Sequence, residues 1–301
     1  MKLPSLLASL PAASAIVGLI LPIYIYPTTG PQDWAAVTQA AASHPQLPFY
    51  IIVNNNGGAP YTQNPPPNII DWADPLGSLT AKPNVRTIGY IATTFGNRPI
   101  SEVKAGIDQY LLWSTQQGWS GNTNNISIAG IFFDEIDTSP SKLAYNTEIA
   151  TYAKTQFAAR SGPVVLNPGV HVQAGSESLW DVADAIMNIE TCYTSVQGAT
   201  DPGGVVRCPT GRYTPFTPAF LGTIPAGKEG KSSVVVHDYY ESWEPYVPAS
   251  LATVEAHVNA IVNKGVHSLY LTQFGYTADF TVDPASVGRV AGYAAAAQGL
   301  V

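Results

Sequence analysis

The sequence predicts an α/β fold, a single-domain (β/α)8 barrel of the TIM type. Eight short β-rich runs recur along the 301 residues. Most of them are near-continuously apolar, as strands covered on both faces are, rather than alternating. The segments between them carry helical periodicity where the pattern is clearest, and the length suits one such barrel. A doubly wound open sheet is the alternative that the same alternation allows.

The first run is "VGLILPIYIY" (17–26), followed by a helix that Pro31 opens, with Trp34 and Val37 on its inner face. "PFYIIVN" (48–54) is the second strand and "VRTIGYIAT" (85–93) the third. Between those two, the stretch around "NNNGGAPYTQNPPPNIIDWADPLGSL" offers only a poor helix and a long Pro- and Asn-rich loop. Val103, Ile107, Tyr110 and Leu111 then mark one face of a helix. The fourth run, "ISIAGIFFD" (126–134), leads to "PVVLN" (163–167), "DAIMNIE" (184–190) and "SSVVVHDY" (232–239). Leu251, Val254, Val258, Ile261 and Val262 give another helical face, which Gly265 is placed to end. "VHSLYLTQ" (266–273) is the eighth strand, and Asp283-Pro284 reads as the cap and first position of a closing helix. No internal repeat or linker divides the chain.

Composition narrows the partners. Only 12% of residues are charged, against 46% hydrophobic, so the surface is polar but largely neutral. Such a surface suits an extracellular protein that handles neutral ligands. Net charge is −7 and no basic run exists, which argues against nucleic acid. At the N-terminus Lys2, a short apolar stretch and Ala13-Ser14-Ala15 read as a cleavable leader over 1–15, with the barrel at 16–301. Read as a membrane span, the same stretch is broken by Pro4, Pro11 and Pro22, so no stable membrane insertion is expected. Asn125-Ile126-Ser127 is a glycosylation acceptor consistent with secretion. Cys192 and Cys208 flank a Gly- and Pro-containing loop; in an oxidising compartment they pair as a disulfide, and otherwise they are two unrelated thiols.

In a barrel of this type the active site lies at the carboxyl ends of the strands. Those ends carry Tyr24 and Tyr26, Asn54, Thr93 and Thr94, Asp134 and Glu135, Asn167, Glu190, His237 with Asp238, and Gln273. Adjacent carboxylates repel each other and resist burial, so the pair ending "IFFDE" asks for a reason. Alternation puts Asp134 on the side of Phe132 and Glu135 on the side of Phe133, so the two are expected to divide roles. Glu190 ends its own apolar run on another strand. Two acids from different strands of one rim are what glycoside hydrolysis needs, one ionised and one protonated. Tyr90, Tyr193, Tyr239, Tyr240, Trp243 and Tyr276 fall near the same ends, where rings stack on sugar faces and amides bind hydroxyls.

The bland reading is that a lone acid at a strand end caps a helix or pairs with a cation, and Asp137 and Asp238 are left there. Tyrosine-rich rims also occur in pure binding proteins. Other chemistries find no footing. The five histidines lack metal-ligand spacing, and neither a nucleophile elbow nor a nucleotide-binding loop is present. No metal and no cofactor is expected.

Taken together, "GLILPIYIYP", "GIFFDEID" and "NIE" resemble the spherulation-specific family, also called the spherulin 4 family. The order of the three motifs covers nearly the whole chain past the leader. The resemblance implies a secreted, mainly fungal (β/α)8 glycoside hydrolase that cuts α-1,4-linked N-acetylgalactosamine within galactosaminogalactan, a cell-wall and biofilm polymer, and association with the cell wall is expected. By position it implies Asp134 as nucleophile, Glu190 as general acid/base and Glu135 as a supporting acid. A retaining mechanism would follow, with the two working carboxyls about 5–5.5 Å apart. The expected partner is a polysaccharide and the expected state a monomer. Tyr24, Tyr26, Asn54, Tyr90, Asn167, Tyr193, His237, Tyr239 and Gln273 are the expected sugar contacts. The alternative is a secreted wall or spore protein that keeps the barrel and only binds glycans.

Overall fold

The computed structural model describes residues 15–24, 26–27, 34–54, 69–193, 208, 214–243, 245–273 and 286–300. Eight parallel strands close into a ring: β1 (Gly18–Ile23), β2 (Phe49–Val53), β3 (Val85–Ala92), β6 (Gly130–Asp134), β7 (Val164–Leu166), β8 (Ala185–Cys192), β9 (Ser232–His237) and β12 (Ser268–Leu271). β1 pairs with both β2 and β12, so the sheet has no edge and the open-sheet alternative falls. All eight sequence runs supply a barrel strand, each shorter at one or both ends than the run, except that β8 continues to Cys192.

The helices are α1 (Ala35–Ser43), α2 (Ile69–Thr80), α3 (Ile100–Leu111), α4 (Leu143–Gln156), α5 (Leu179–Val182), α6 (Leu251–Asn263) and α7 (Val287–Ala297). The poor helix expected between the second and third strands is α2, a regular helix of about three turns. It runs through Pro75, which cannot bond to the carbonyl of Asp71, yet buries Ile69, Trp72, Leu76 and Leu79. Four apolar side chains on one face outweigh one absent hydrogen bond. Trp34 and Val37 are buried as expected; on α6 Leu251 is exposed while Val254, Val258, Ile261 and Val262 are buried. Ser250 caps α6 by accepting from the Thr253 amide at 3.1 Å, and Gly265 follows its end with φ of 73°. Pro31, Asp283, Pro284 and Tyr276 lie outside the described residues.

Two hairpins decorate the ring. The first pairs β4 (Thr115–Gln117) with β5 (Thr123–Asn125); the second pairs β10 (Tyr240–Trp243) with β11 (Tyr246–Pro248). The first lies along α2, with Asn125 accepting from Thr80 Oγ1 at 2.5 Å at its base. Higher up, Asn124 and Ser120 both donate to Asp74, at 2.8 and 2.6 Å. This approach requires Gly77, where a Cβ would sit 2.3 Å from the Asn124 side chain. At the barrel's base Gln298, just past α7, clasps both backbone groups of Val17, at 2.7 and 3.1 Å.

Candidate active site at the carboxyl end of the barrel

A cleft of about 280 Å³ opens where the strands end, walled by Tyr24, Phe95, Asp134, Glu135, Asn167 and Glu190. Its floor includes Ile20, Ile52, Phe132, Met187 and Val235. Among these described lining residues there are three carboxylates and no cation.

Asp134 ends β6 on the same side as Phe132, as alternation requires. Its Oδ2 accepts from the Tyr90 hydroxyl at 2.8 Å. Its Oδ1 accepts from the Glu135 amide at 2.9 Å and from Asn167 Nδ2 at 2.8 Å. Burial pushes the Asp134 carboxyl above its usual range, with the Glu190 charge adding to the push, while those three donors oppose it. Asn167 Nδ2 also reaches Glu190 Oε2 at 3.0 Å, so one amide group ties the two carboxylates together. The Gly169 amide donates to Asn167 Oδ1 at 2.9 Å, which fixes which end of the side chain faces the acids.

Regular alternation would send Glu135 toward the helices. It turns into the cleft instead because its backbone adopts φ of 56°, an uncommon state for a residue with a Cβ that costs about 1 kcal/mol or more. Thr93 holds that turn: its hydroxyl donates to the Glu135 carbonyl at 2.7 Å and its amide to the Asp134 carbonyl at 3.0 Å. Thr94 and Phe95 follow with φ of 52° and 53°, and the Phe95 amide reaches the Glu135 carbonyl. The exposed Phe95 ring is thereby carried to the cleft wall.

Glu190 reaches the cleft by a different device. On β8, Met187 pairs with Ser233 and Ile189 with Val234, leaving Asn188 as an extra residue. This bulge lets Met187 and Glu190, three positions apart, share the inner side, opposite Ser233 and Val235. A second pocket of about 260 Å³ lies beyond Glu190, walled by Gly169, Val170, His171, Asn188, Thr191 and Phe220. Glu190 and the Pro168–Gly169 turn line both pockets, and Asp134 lines only the first. Both amide atoms of Asn188 and Nδ1 of His171 are buried with no hydrogen-bond partner among the described residues.

The other expected sugar contacts are distributed more widely. Tyr24 lines the cleft and meets Tyr90 edge to face at 5.5 Å; burial and the Asp134 charge raise its hydroxyl pKa. Tyr26 instead donates to Asp71 on α2 and is 41% exposed. Asn54 is half-buried past the end of β2. Tyr193 stacks on Tyr239 at 4.9 Å and donates to Glu241 at 2.5 Å. Tyr239 itself is fully buried, its hydroxyl 3.3 Å from His257. His237 is buried against Asp238, Nδ1 to Oδ2 at 2.6 Å, and Gln273 is buried. Tyr240 is buried too. Asp137 accepts from the Ser139 amide in a local turn and Asp238 bonds to the neighbouring His237 ring, in place of the helix cap or Arg partner expected of such acids. Phe95, Gly169 and the second pocket escaped the sequence reading. Phe95 stood one residue past the last strand-end residue considered.

Cys192 and Cys208 form a disulfide two residues beyond Glu190. Among the described residues, no cluster of His, Cys, Asp and Glu is arranged to hold a metal ion, and no helix is long and apolar enough to cross a membrane.

The model of spherulation-specific family 4 matches residues 18–287. The chain belongs to that family. Spherulin-4 of Physarum polycephalum is 30% identical over 189 residues, which are 61% of this chain and 49% of that protein. The match thus spans about half the length of that relative. Among solved structures, Aspergillus clavatus Sph3 in complex with GalNAc matches with a TM-score of 0.65 at 23% identity, covering 94% of this chain and 98% of that one. An endo-β-1,4-mannanase from Thermotoga petrophila matches with a TM-score of 0.56 at 10% identity, over 94% and 77% of the two chains. At these identities the two structures share the fold with this spherulation-specific barrel.

Proposed function

We propose that this chain is a secreted retaining glycoside hydrolase that cleaves within an α-linked amino-sugar polysaccharide. The observation that carries the reading is the position of Glu190 between two pockets, with Asp134 in only one of them. A glycosidic bond lying across Glu190 would have its leaving oxygen beside that acid and its anomeric carbon over Asp134. The shared Asn167 nitrogen, 2.8 Å from one carboxylate oxygen and 3.0 Å from the other, keeps those oxygens less than about 6 Å apart. That spacing fits a retaining pair and leaves little room for the water that an inverting enzyme places between its acids.

Asp134, an acceptor for three donors, stays ionised and attacks the anomeric carbon. The bond to the leaving oxygen breaks, its electron pair goes to that oxygen, and Glu190 supplies the proton. Water then attacks the glycosyl-enzyme ester, gives its proton to Glu190, and releases the Asp134 carboxylate. Glu135 tunes the first acid through its amide and faces the sugar with its own carboxylate. Tyr24 and Phe95 offer rings to the sugar faces. Family membership and the GalNAc bound in Sph3 favour N-acetylgalactosamine as the unit recognised. The disulfide fits an oxidising, extracellular setting, with the leader over 1–15 removed, and the chain is proposed to act as a monomer.

The test is reducing-end release from an α-1,4-linked N-acetylgalactosamine polymer by wild type, Asp134→Asn and Glu190→Gln. Release by wild type, with losses of about a hundredfold or more in both variants, is the expected result. The anomer formed first, read by NMR, should be the α form. Polymer bound but never cut by wild type would instead make this a glycan-binding member of the family.

A further inference from the structure

We infer that Trp119 and Tyr26 form a second sugar-binding platform, outside the cleft, that takes more distant units of the same glycan chain. The inference rests on the proposed function for the identity of that chain, and on separate residues for its site.

Trp119 stands at the turn of the β4–β5 hairpin and is 73% exposed. Leaving an indole in water forfeits the free energy that burial would return, so a fold that only needed a turn would place a small polar residue here. The ring is nevertheless held in place. Its Nε1 donates to Asp71 Oδ1 at 2.5 Å, while the Tyr26 hydroxyl donates to Oδ2 of the same carboxylate. One acid at the start of α2 therefore pins the polar edges of two exposed aromatic rings. Tyr26 is also braced edge to face against the buried Trp72, at 5.7 Å between centroids.

The hairpin exists to deliver this ring. Its base sits at the Thr80 end of α2 and its turn at the Asp71 end, which is the carboxyl-end rim of the barrel. Asp74 fixes the climb by accepting from the amide and hydroxyl of Ser120 and from Asn124. Tyr24 lines the cleft, and Tyr26 lies two residues further along the chain, so the two Cα atoms are at most about 7 Å apart. A linked sugar chain covers that gap with one or two units. Rigid rings with their polar ends already bonded offer flat apolar faces, and the apolar C–H faces of neutral sugars fit these better than a charged partner would.

The test titrates the intact chain with α-1,4-linked N-acetylgalactosamine oligomers of graded length, following tryptophan fluorescence and retention on immobilised polymer. Trp119→Ala should raise the half-saturating concentration of the longest oligomers about tenfold and leave that of the disaccharide unchanged. Asp71→Asn keeps both rings but weakens their anchors, and should give an intermediate loss confined to long oligomers. Equal affinities of wild type and Trp119→Ala at every length would overturn the platform and leave the cleft's function standing. Equal losses for short and long oligomers would overturn it as well, since the effect would then lie in the cleft. A wild type that binds no length overturns both readings. Concentration-dependent self-association abolished by Trp119→Ala, without any change in glycan affinity, would make the patch a protein contact instead.

Discussion

The Tyr90 hydroxyl donates to Asp134 Oδ2 at 2.8 Å across the gap between neighbouring strands β3 and β6. This bond stabilises the ionised acid in a place where burial disfavours it. Tyr90→Phe deletes it without changing the ring. The catalytic rate should fall about tenfold to a hundredfold, given the usual strength of a hydrogen bond to a charged group. The acidic limb of kcat/KM should also move to higher pH, because Asp134 loses a donor that favours its anion. A pH–rate profile of the two proteins checks both effects; an unmoved limb would separate Tyr90 from Asp134.

The raised Asp134 carboxyl should cost the folded chain stability at neutral pH relative to acid pH. This carboxyl is held above the ordinary 3.8, chiefly by burial. Well below that value both folded and unfolded chains keep the proton and the site costs nothing. As pH rises past it the unfolded chain ionises first, so stability falls up to the folded value and stays lower above it. Asp134→Asn removes this cost, since the new amide can donate to Tyr90 while its oxygen accepts from Glu135 and Asn167. The variant should therefore melt above wild type at pH 7, with the gap closing below about pH 4. A variant that melts below wild type at pH 7 would contradict this.

Val170 lines the second pocket from an exposed position, where a larger side chain is tolerated. Val170→Trp should block the leaving-group side of the bond while sparing the Asp134 side. The KM for oligosaccharides should rise about tenfold, with little change for an aryl glycoside whose leaving group is small. Equal effects on both substrates would mean that the pocket does not receive the leaving group.

Gly89 on β3 lies under the ring of Tyr110, where a Cβ would come within 2.5 Å of it. That ring is tied down, its hydroxyl donating to the carbonyls of Val53 and Tyr90 at 3.2 Å each. Gly89→Ala should lower stability by about 1–3 kcal/mol in denaturant titration. Activity should drop further than stability alone explains, because the displaced backbone is that of Tyr90.

How far the sequence disclosed this site depends on the device that built each part. Asp134 was legible because an apolar run stops at an acid and ordinary alternation then points it inward. Glu190 was legible as a strand-end acid, yet strict alternation from Met187 would have faced it outward. Only the extra residue Asn188 reverses that, and an inserted residue leaves no mark in apolar periodicity. Glu135 depends on a left-handed backbone conformation that no glycine announces. The β4–β5 hairpin was invisible for another reason: "TQQGWSGNTNN" has no apolar alternation, and polar bonds to α2 hold it. Tyr239 misled because a tyrosine near a strand end looks the same whether it faces a ligand or a neighbouring histidine.

The Gln298 clasp on Val17 sits at the base of the barrel, where the strands begin, and both cleft and platform sit at the far end. Val17 therefore enters β1 at the end of the barrel opposite the cleft. Attachment through that end, to a resin, a fusion partner or a wall, would hold the barrel like a cup by its foot. The mouth would stay turned toward the polymer, and immobilised protein should cut or bind as free protein does.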